Sequence, residues 1–274
     1  MEPSAPAASV NIQRLQLGQA KADAADEVTV EEPLEIRVEG RSVAITMRTP
    51  GHDEELAMGF LLSEGVIHRA ADLFEVSVCP SNAEGTSKGN VVDVLLTSGV
   101  EFQWESLTRH VFASSSCGLC GKATVDAVFQ QFPAITADWT VPASTIASLP
   151  DKLRQAQATF QQTGGLHASA LFDREGHLLV LREDVGRHNA LDKILGHALR
   201  EGWLPLSDKI LLVSGRVSFE LMQKALSAGI PLIAAISAPS SLAVQFARES
   251  GQTLVGFLRG ERMNLYAHGD RVVA

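Results

Sequence analysis

The chain has 274 residues, 45% of them hydrophobic, and carries a net charge of −9 with an isoelectric point near 5.4. That length supports one large or two modest cores, and two is the expectation. No run of lysines or arginines interrupts the acidic average, which argues against a nucleic-acid surface, and no apolar run approaches the ~18 residues of a membrane span.

Residues 1–25 are alanine-rich, with Pro3 and Pro6, and lack the basic start and apolar core of a signal peptide, so they are expected to be a flexible tail. An odd number of cysteines, Cys79, Cys117 and Cys120, cannot make a disulfide framework, and the expected compartment is the cytoplasm. Residues 26–108 read as a small roll-like domain of ββαββ order. Strand-like pattern runs from Glu27 to Val38, Glu39-Gly40-Arg41 is a turn, and Ser42 to Met47 alternates again. Asp53 to Ser63 is predicted to be a helix with three acids in its first turn, and Leu73 to Val78 and Val91 to Leu96 are two further strands. His52 and His68 are read as surface residues, and Cys79 as a buried small apolar one.

Residues 109–150 hold the loop Ser114-Ser115-Ser116-Cys117-Gly118-Leu119-Cys120-Gly121-Lys122, a helical pattern from Ala123 to Gln131, and a linker from Phe132 to Pro150. Small neighbours leave the sulfurs uncrowded, while the helix start and Lys122 supply positive charge, both of which favour a reactive thiolate. A C-x-x-C can also be half of a zinc site, a thioredoxin-like redox pair or a structural pair. With three cysteines a Cys₄ site is impossible, and a Cys₂His₂ set stays open.

Residues 151–274 change style. A helix is predicted over Asp151 to Gln162, strands over Leu166 to Phe172 and His177 to Arg182 around an Asp173-Arg174-Glu175-Gly176 turn, and a helix over Val185 to Arg200 capped by Asp184. Strand and helix then alternate: Lys209 to Ser214, Ser218 to Ala228, Pro231 to Ser237, Ser240 to Glu249, Thr253 to Leu258. Such alternation implies a largely parallel sheet covered by helices, an α/β fold within an α+β whole.

Open α/β sheets bind ligands at the carboxyl ends of their strands, where helix N-termini present free N–H groups. Two such junctions are chemically loaded, Ser214-Gly215-Arg216-Val217-Ser218 and Ser237-Ala238-Pro239-Ser240-Ser241. Each fits a phosphate site, the first with a guanidinium to grip it, and each also fits ordinary serine capping. Arg187 and His188 fall inside the apolar arc of the helix that begins beside Asp184, so they must join a buried network with Arg182 and Glu183 or line a pocket. His167 is a similar case on a strand. Phe257-Leu258-Arg259-Gly260-Glu261-Arg262 fits an anion site or a charged hairpin turn.

Six blocks, S-C-G-L-C-G-K, T-G-G-L-H, R-E-D-V-G-R-H-N-A-L-D-K, S-G-R-V-S-F-E-L, S-A-P-S-S-L-A-V and V-G-F-L-R-G-E-R-M-N-L-Y, together resemble the formate dehydrogenase accessory sulfurtransferase family, FdhD/NarQ. The resemblance spans Glu27 to roughly His268. It implies a cytidine-deaminase-like three-layer α/β core and a homodimer. The function it implies is a sulfur carrier that takes persulfide sulfur from a cysteine desulfurase and passes it to the molybdenum bis(guanine dinucleotide) cofactor required by formate dehydrogenase. It maps the persulfide to Cys117, with Cys120 as the second cysteine of the motif, and the cofactor-binding segment to Phe257, Leu258, Arg259, Gly260, Glu261 and Arg262. Phosphates are expected near Gly215, Arg216 and Ser237, and GDP is the expected mimic of the cargo. One alternative is a cofactor-binding chaperone that moves no sulfur. A zinc-dependent deaminase is another, but it needs H-x-E and P-C-x-x-C at the corresponding helix starts. Those starts carry Arg187-His188-Asn189 and Gly215-Arg216-Val217, so no zinc is expected.

Overall fold

The computed structural model describes residues 5–79, 89–100, 129 and 131–274. The C-x-x-C loop with Cys117 and Cys120, and nearly all of the helix expected over Ala123 to Gln131, lie outside the described residues.

The alanine-rich start is not a tail. Ala7–Arg14 (β1) and Ala22–Thr29 (β2) form an antiparallel hairpin, with Val10 opposite Asp26 and Ile12 opposite Ala24. Period-two alternation outweighs the alanine content here, setting Ala8, Val10 and Ile12 on one face and Ser9, Asn11 and Gln13 on the other. The hairpin is tied to the body where Thr29 Oγ1 donates to Thr163 Oγ1 at 2.9 Å.

Glu32–Val38 (β3), Arg41–Arg48 (β4), Leu73–Val78 (β5) and Val91–Leu96 (β6) form a sheet in the order β4-β3-β6-β5, with β3 and β6 parallel. Leu34, Ile36, Val38, Val92 and Val94 are buried in one cluster with Leu56, Leu61 and Leu62 of the helix Asp53–Ser63 (α1). This is the expected ββαββ unit. Cys79 follows β5, half-buried rather than buried, with its N–H donated to Val91 O at 2.8 Å.

The stretch read as a linker from Phe132 to Pro150 contains the short strand Val141–Pro142 (β7) and the start of the helix Ala143–Ala156 (α2), which carries Pro150 inside it. Ile146, Leu149 and Leu153 give this helix a buried stripe, and that packing offsets the hydrogen bond the proline cannot make. A short helix, Ala158–Thr163 (α3), follows.

The second sheet has six strands in the order β13-β12-β11-β10-β8-β9: His167–Phe172 (β8), Leu178–Asp184 (β9), Ile210–Val213 (β10), Leu232–Ala235 (β11), Thr253–Arg259 (β12) and Arg262–Ala267 (β13). β10, β11 and β12 are parallel, and the flanking pairs are antiparallel. Leu211 and Val213 share a buried cluster with the helices Arg187–Arg200 (α4), Phe219–Ser227 (α5) and Ser241–Ser250 (α6). Ile210 and Leu212 share another with α2. The result is the expected three-layer α/β arrangement, but the sheet is mixed rather than largely parallel, since β8, β9 and β13 join it by antiparallel pairing. The boundary between the two clusters is this sheet, because the first cluster also takes in α1 and β3, β4 and β6.

The joint between the two sheets is a close crossing of α1 and α4. A Cβ on Gly59 would lie 1.8 Å from Asp192 O, and one on Gly196 would lie 1.8 Å from Glu55 O, so the helix backbones touch where neither has a side chain. Ionic groups are buried around this contact. Glu55, 1% exposed, accepts from Arg182 Nε at 2.6 Å and Nη2 at 2.9 Å, lies 3.0 Å from His197 Nδ1, and is also reached by Arg200. Lys224 Nζ donates to both Asp192 oxygens at 2.9 Å and to Ser63 Oγ at 2.7 Å. Lys193 Nζ sits 2.7 Å from Asp184 Oδ2 and donates to Thr49 O at 2.9 Å. Asp184 is therefore the last residue of β9 and not the cap of α4, whose N-cap is Gly186.

Burial by itself would raise the Glu55 carboxyl, but Arg182 and His197 more than offset it and hold its pKa below the ordinary value. A depressed carboxyl stabilises the fold at neutral pH and loses that contribution as pH falls through its folded-state pKa. Two outcomes follow for urea unfolding. Gly59→Ala forces the helices apart and lowers stability by about 3 kcal/mol or more. Glu55→Gln leaves the Arg182 and Arg200 guanidiniums without their carboxylate and costs about 3 to 5 kcal/mol at pH 7, with the gap to the native protein narrowing as the pH falls from the ordinary glutamate value through the depressed folded-state one.

Candidate functional site

The carboxyl ends of β10, β11 and β12 are locked together by backbone hydrogen bonds. Ser214 donates its N–H to Ala168 O and accepts from Ala168 N through its hydroxyl, both at 2.9 Å, which fixes the end of β10 against β8. Val217 N donates to Ala238 O at 3.1 Å and Ser240 N returns to Val217 O at 2.9 Å, so the loops after β10 and β11 pair. Phe257 N donates to Ser237 O at 3.0 Å and ties in β12. Gly215, Arg216, Ser237 and Phe257 thus line one edge of the sheet.

His167 and Arg187 join the same edge. His167 begins β8 opposite Asp184, and a Cβ on Gly215 would lie 3.2 Å from His167 Nδ1 and 3.5 Å from Arg187 Cδ. Burial, then Arg187, with a further contribution from Arg216, holds the His167 imidazole below its ordinary pKa. His188 lies deeper, with Nε2 3.3 Å from Ser218 Oγ, and its pKa is pushed down to about 4 by burial and by Lys224 and Arg187. Ser218 occupies the N-cap position of α5 without capping through its side chain; its hydroxyl serves His188 and Glu220 instead. Ser240, by contrast, is an ordinary cap that accepts from Ala243 N at 3.2 Å.

The segment from Phe257 to Arg262 divides. Phe257 is 39% exposed and has a left-handed φ of 52°, a conformation that costs an aromatic residue roughly 1 to 2 kcal/mol and holds its ring out of the core. Arg259 places its guanidinium 5.9 Å from that ring centroid. Leu258 is buried in the α2-side cluster, so it offers a ligand only its backbone. Gly260 and Glu261 form the turn between β12 and β13, with Arg259 opposite Arg262. Arg259, Glu261 and Arg262 are exposed.

Arg182 and Glu183 do not meet Arg187. Arg182 turns to Glu55, and Glu183 accepts from the N–H groups of Thr159 and Phe160 at 3.0 and 2.9 Å. The nearness of His167 to Gly215 has no signal in sequence spacing; it follows from the antiparallel pairing of β8 with β10. Among the described residues, the ligand atoms of Asp173, Glu175 and His177 lie within 4.8 Å of one another, but Asp173 there accepts from His177 N at 2.7 Å and closes the β8–β9 turn. A cleft of about 820 Å³ lies at the opposite end of the second sheet, lined by Phe132 to Trp139 and by residues that precede β10 and β11. The two arginines on its walls are engaged within the fold, Arg69 by Asp72 at 3.0 Å and Arg174 over the Trp139 ring.

Fold and site together define a mixed α/β protein whose six-stranded sheet gathers Arg187, Arg216 and His167 at the carboxyl ends of its parallel strands. The chain belongs to the FdhD/NarQ family, whose model matches residues 29–273, beginning at the last residue of β2. It is 56% identical over 256 residues to the sulfur carrier protein FdhD of Streptomyces avermitilis, covering 90% of this chain and 89% of that one. Its identity to the sulfur carrier protein FdhD of Mycobacterium tuberculosis is 53% over 251 residues, covering 89% and 91%. It is also similar to the crystal structure of a protein from Desulfotalea psychrophila described as a formate dehydrogenase accessory protein. That match has a TM-score of 0.76 and 26% identity and covers 98% of this chain and 100% of the other. Among the described residues no helix is long and apolar enough to cross a membrane.

His188, with a pKa near 4, is neutral at physiological pH. Histidine NMR titration of the whole protein is expected to show no midpoint for His188 between pH 5.5 and 8, and a midpoint near 6.5 would break its assignment as a buried neutral partner of Ser218.

Proposed function

We propose that this chain is a sulfur carrier that loads persulfide sulfur on Cys117 and delivers it to a molybdenum bis(guanine dinucleotide) cargo destined for formate dehydrogenase. The observation that carries the reading is the gathering of Arg187, Arg216 and His167 beside helix starts at one sheet edge of a chain whose net charge is −9. In so acidic a protein a polyanionic cargo is held only where such groups are concentrated. The family membership and the sulfur carrier description of the relatives supply the other half.

The Cys117 thiolate attacks the outer sulfur of the donor's cysteine persulfide. A new S–S bond forms at Cys117 while the donor's S–S bond breaks, and the desulfurase thiolate leaves. The outer sulfur of Cys117 is the atom carried forward. The guanine dinucleotide lies with phosphates near Gly215, Arg216 and Ser237 and with the exposed Phe257 ring, Arg259 and the Gly260-Glu261-Arg262 turn as a second wall. Phe257 supplies the flat apolar surface a purine needs, and its left-handed backbone is the means of presenting it. The carrier works as a homodimer in the cytoplasm, with a cysteine desulfurase as donor and formate dehydrogenase as recipient, and the cargo's metal is the only one it handles.

Mass spectrometry after incubation with a cysteine desulfurase and cysteine is expected to show one added sulfur on Cys117. Cys117→Ala should lose both this label and the ability to restore formate dehydrogenase activity to cells lacking the protein. Restored activity in that variant would leave only a cofactor-binding chaperone. For the cargo, Arg216→Ala is expected to weaken calorimetric GDP binding about ten- to a hundredfold, the loss of one charge-assisted contact.

A further inference from the structure

The hairpin of β1 and β2 has an apolar face that its own chain leaves uncovered. Residues directly opposite in an antiparallel ribbon share a face, so Val10 lies with Asp26, Ile12 with Ala24 and Arg14 with Ala22. No residue of either strand is buried, and Leu15 and Leu17 in the turn are 60% and 96% exposed. A two-stranded ribbon in water is marginal unless a second layer covers it, and the tie from Thr29 to Thr163 holds only its root. The same face carries one cation, Arg14, and one anion, Asp26. Arg14 has no hydrogen bond or ion pair among the described residues, and the Asp26 carboxylate accepts only the N–H of Glu27, at 3.1 Å. Along the ribbon the two charges stand about 13 Å apart, beyond the reach of an ion pair within one chain, and the residue pair midway between them is Ile12 with Ala24.

We propose that this face stacks on the same face of a second copy of the chain, about a two-fold axis that crosses the strands at the Ile12–Ala24 pair. The proposal rests on the homodimer inferred above and specifies its surface; it uses none of the sulfur or nucleotide chemistry. With that axis the two ribbons point in opposite directions, and Arg14 of each copy lies over the Val10–Asp26 pair of the other. A two-fold contact has to be self-complementary in this way, Arg14 meeting Asp26 and Asp26 meeting Arg14. Alanine at positions 22 and 24 keeps the face low, so the ribbons can approach to the ~10 Å of packed sheets, a gap that an arginine and an aspartate side chain span together. The tip of each hairpin, with Leu15 and Leu17, then passes over the root of the other, where Val28 is 40% exposed. Stacking with the ribbons in the same direction would bring the two arginines together, and edge-to-edge pairing would leave the apolar face in water.

Sedimentation velocity of the full chain at low ionic strength tests this surface. The native protein should be a dimer whose dissociation constant rises with added salt. Arg14→Glu and Asp26→Arg each set like charges together twice across the axis, and each should weaken the dimer at least tenfold, whereas the two exchanges combined should restore most of the native affinity. Ile12→Asp, which puts two carboxylates on the axis, should give a monomer. Unchanged dimerisation in all of these variants would overturn the hairpin surface and leave the homodimer standing. Weakening by each single exchange with no recovery in the combined one would overturn the two-fold register and the proposal with it. A native protein that stays monomeric would overturn the surface and the homodimer together, while sulfur labelling of Cys117 decides the carrier reading separately. If Ile12→Asp unravels the ribbon, the charge exchange decides, because Arg14 and Asp26 are both exposed and their side chains join no others in the chain.

Discussion

The backbone contact between α1 and α4 at Gly59 and Gly196 is the constraint on which the other parts of the molecule depend. It sets two layers of the structure at a distance that admits no side chain, and every buried charge nearby is arranged around that distance. Glu55 of α1 reaches Arg182 of β9 and His197 and Arg200 of α4, while Ser63 of α1 meets the Asp192–Lys224 pair. Buried ion pairs add little net stability compared with apolar packing, but they tolerate few alternative positions. The four-stranded sheet, α1 and the six-stranded sheet are therefore held in one register, and the start of α4 is fixed with them.

That fixed start is what brings Arg187 beside His167 and Gly215 at the strand ends. Arg187 and His188 open α4, with Arg187 beside the start of β8 and the end of β10, and Gly186 before them is tied to Asp184. The loops after β10 and β11 hold each other by main-chain bonds, so Gly215 and Ser237 owe their places to backbone rather than to side chains. Positive charge is concentrated there against the sign of the whole molecule. This gives local attraction for an anion without making the surface generally basic.

The hairpin of β1 and β2 stands apart from this logic. It lies almost wholly before the residues that match the family model, and its recorded side-chain tie to the core passes through Thr29 and Thr163. None of its residues is among those gathered at the strand ends. Its apolar face with Val10 and Ile12 explains why it pairs as a ribbon, since alternation of that kind is worth more as a strand than as coil.

The sequence by itself determined the local elements: α1 from Asp53 to Ser63, β5 and β6 to the residue, and the alternation of strands and helices after Lys209, because side-chain period and turn residues act over a few positions. It failed where long-range packing outweighed composition, at Pro150 inside α2 and in the alanine-rich hairpin. The polar residues on the apolar arc of α4 were visible as a problem, but their solutions were not. Arg182 found Glu55 across 127 residues of chain, Arg187 was left facing His167 and Gly215, and Leu258 turned into the core while Phe257 turned out. Strand order and the α1–α4 crossing decided those outcomes, because which groups meet depends on contacts between elements that no spacing within one element encodes.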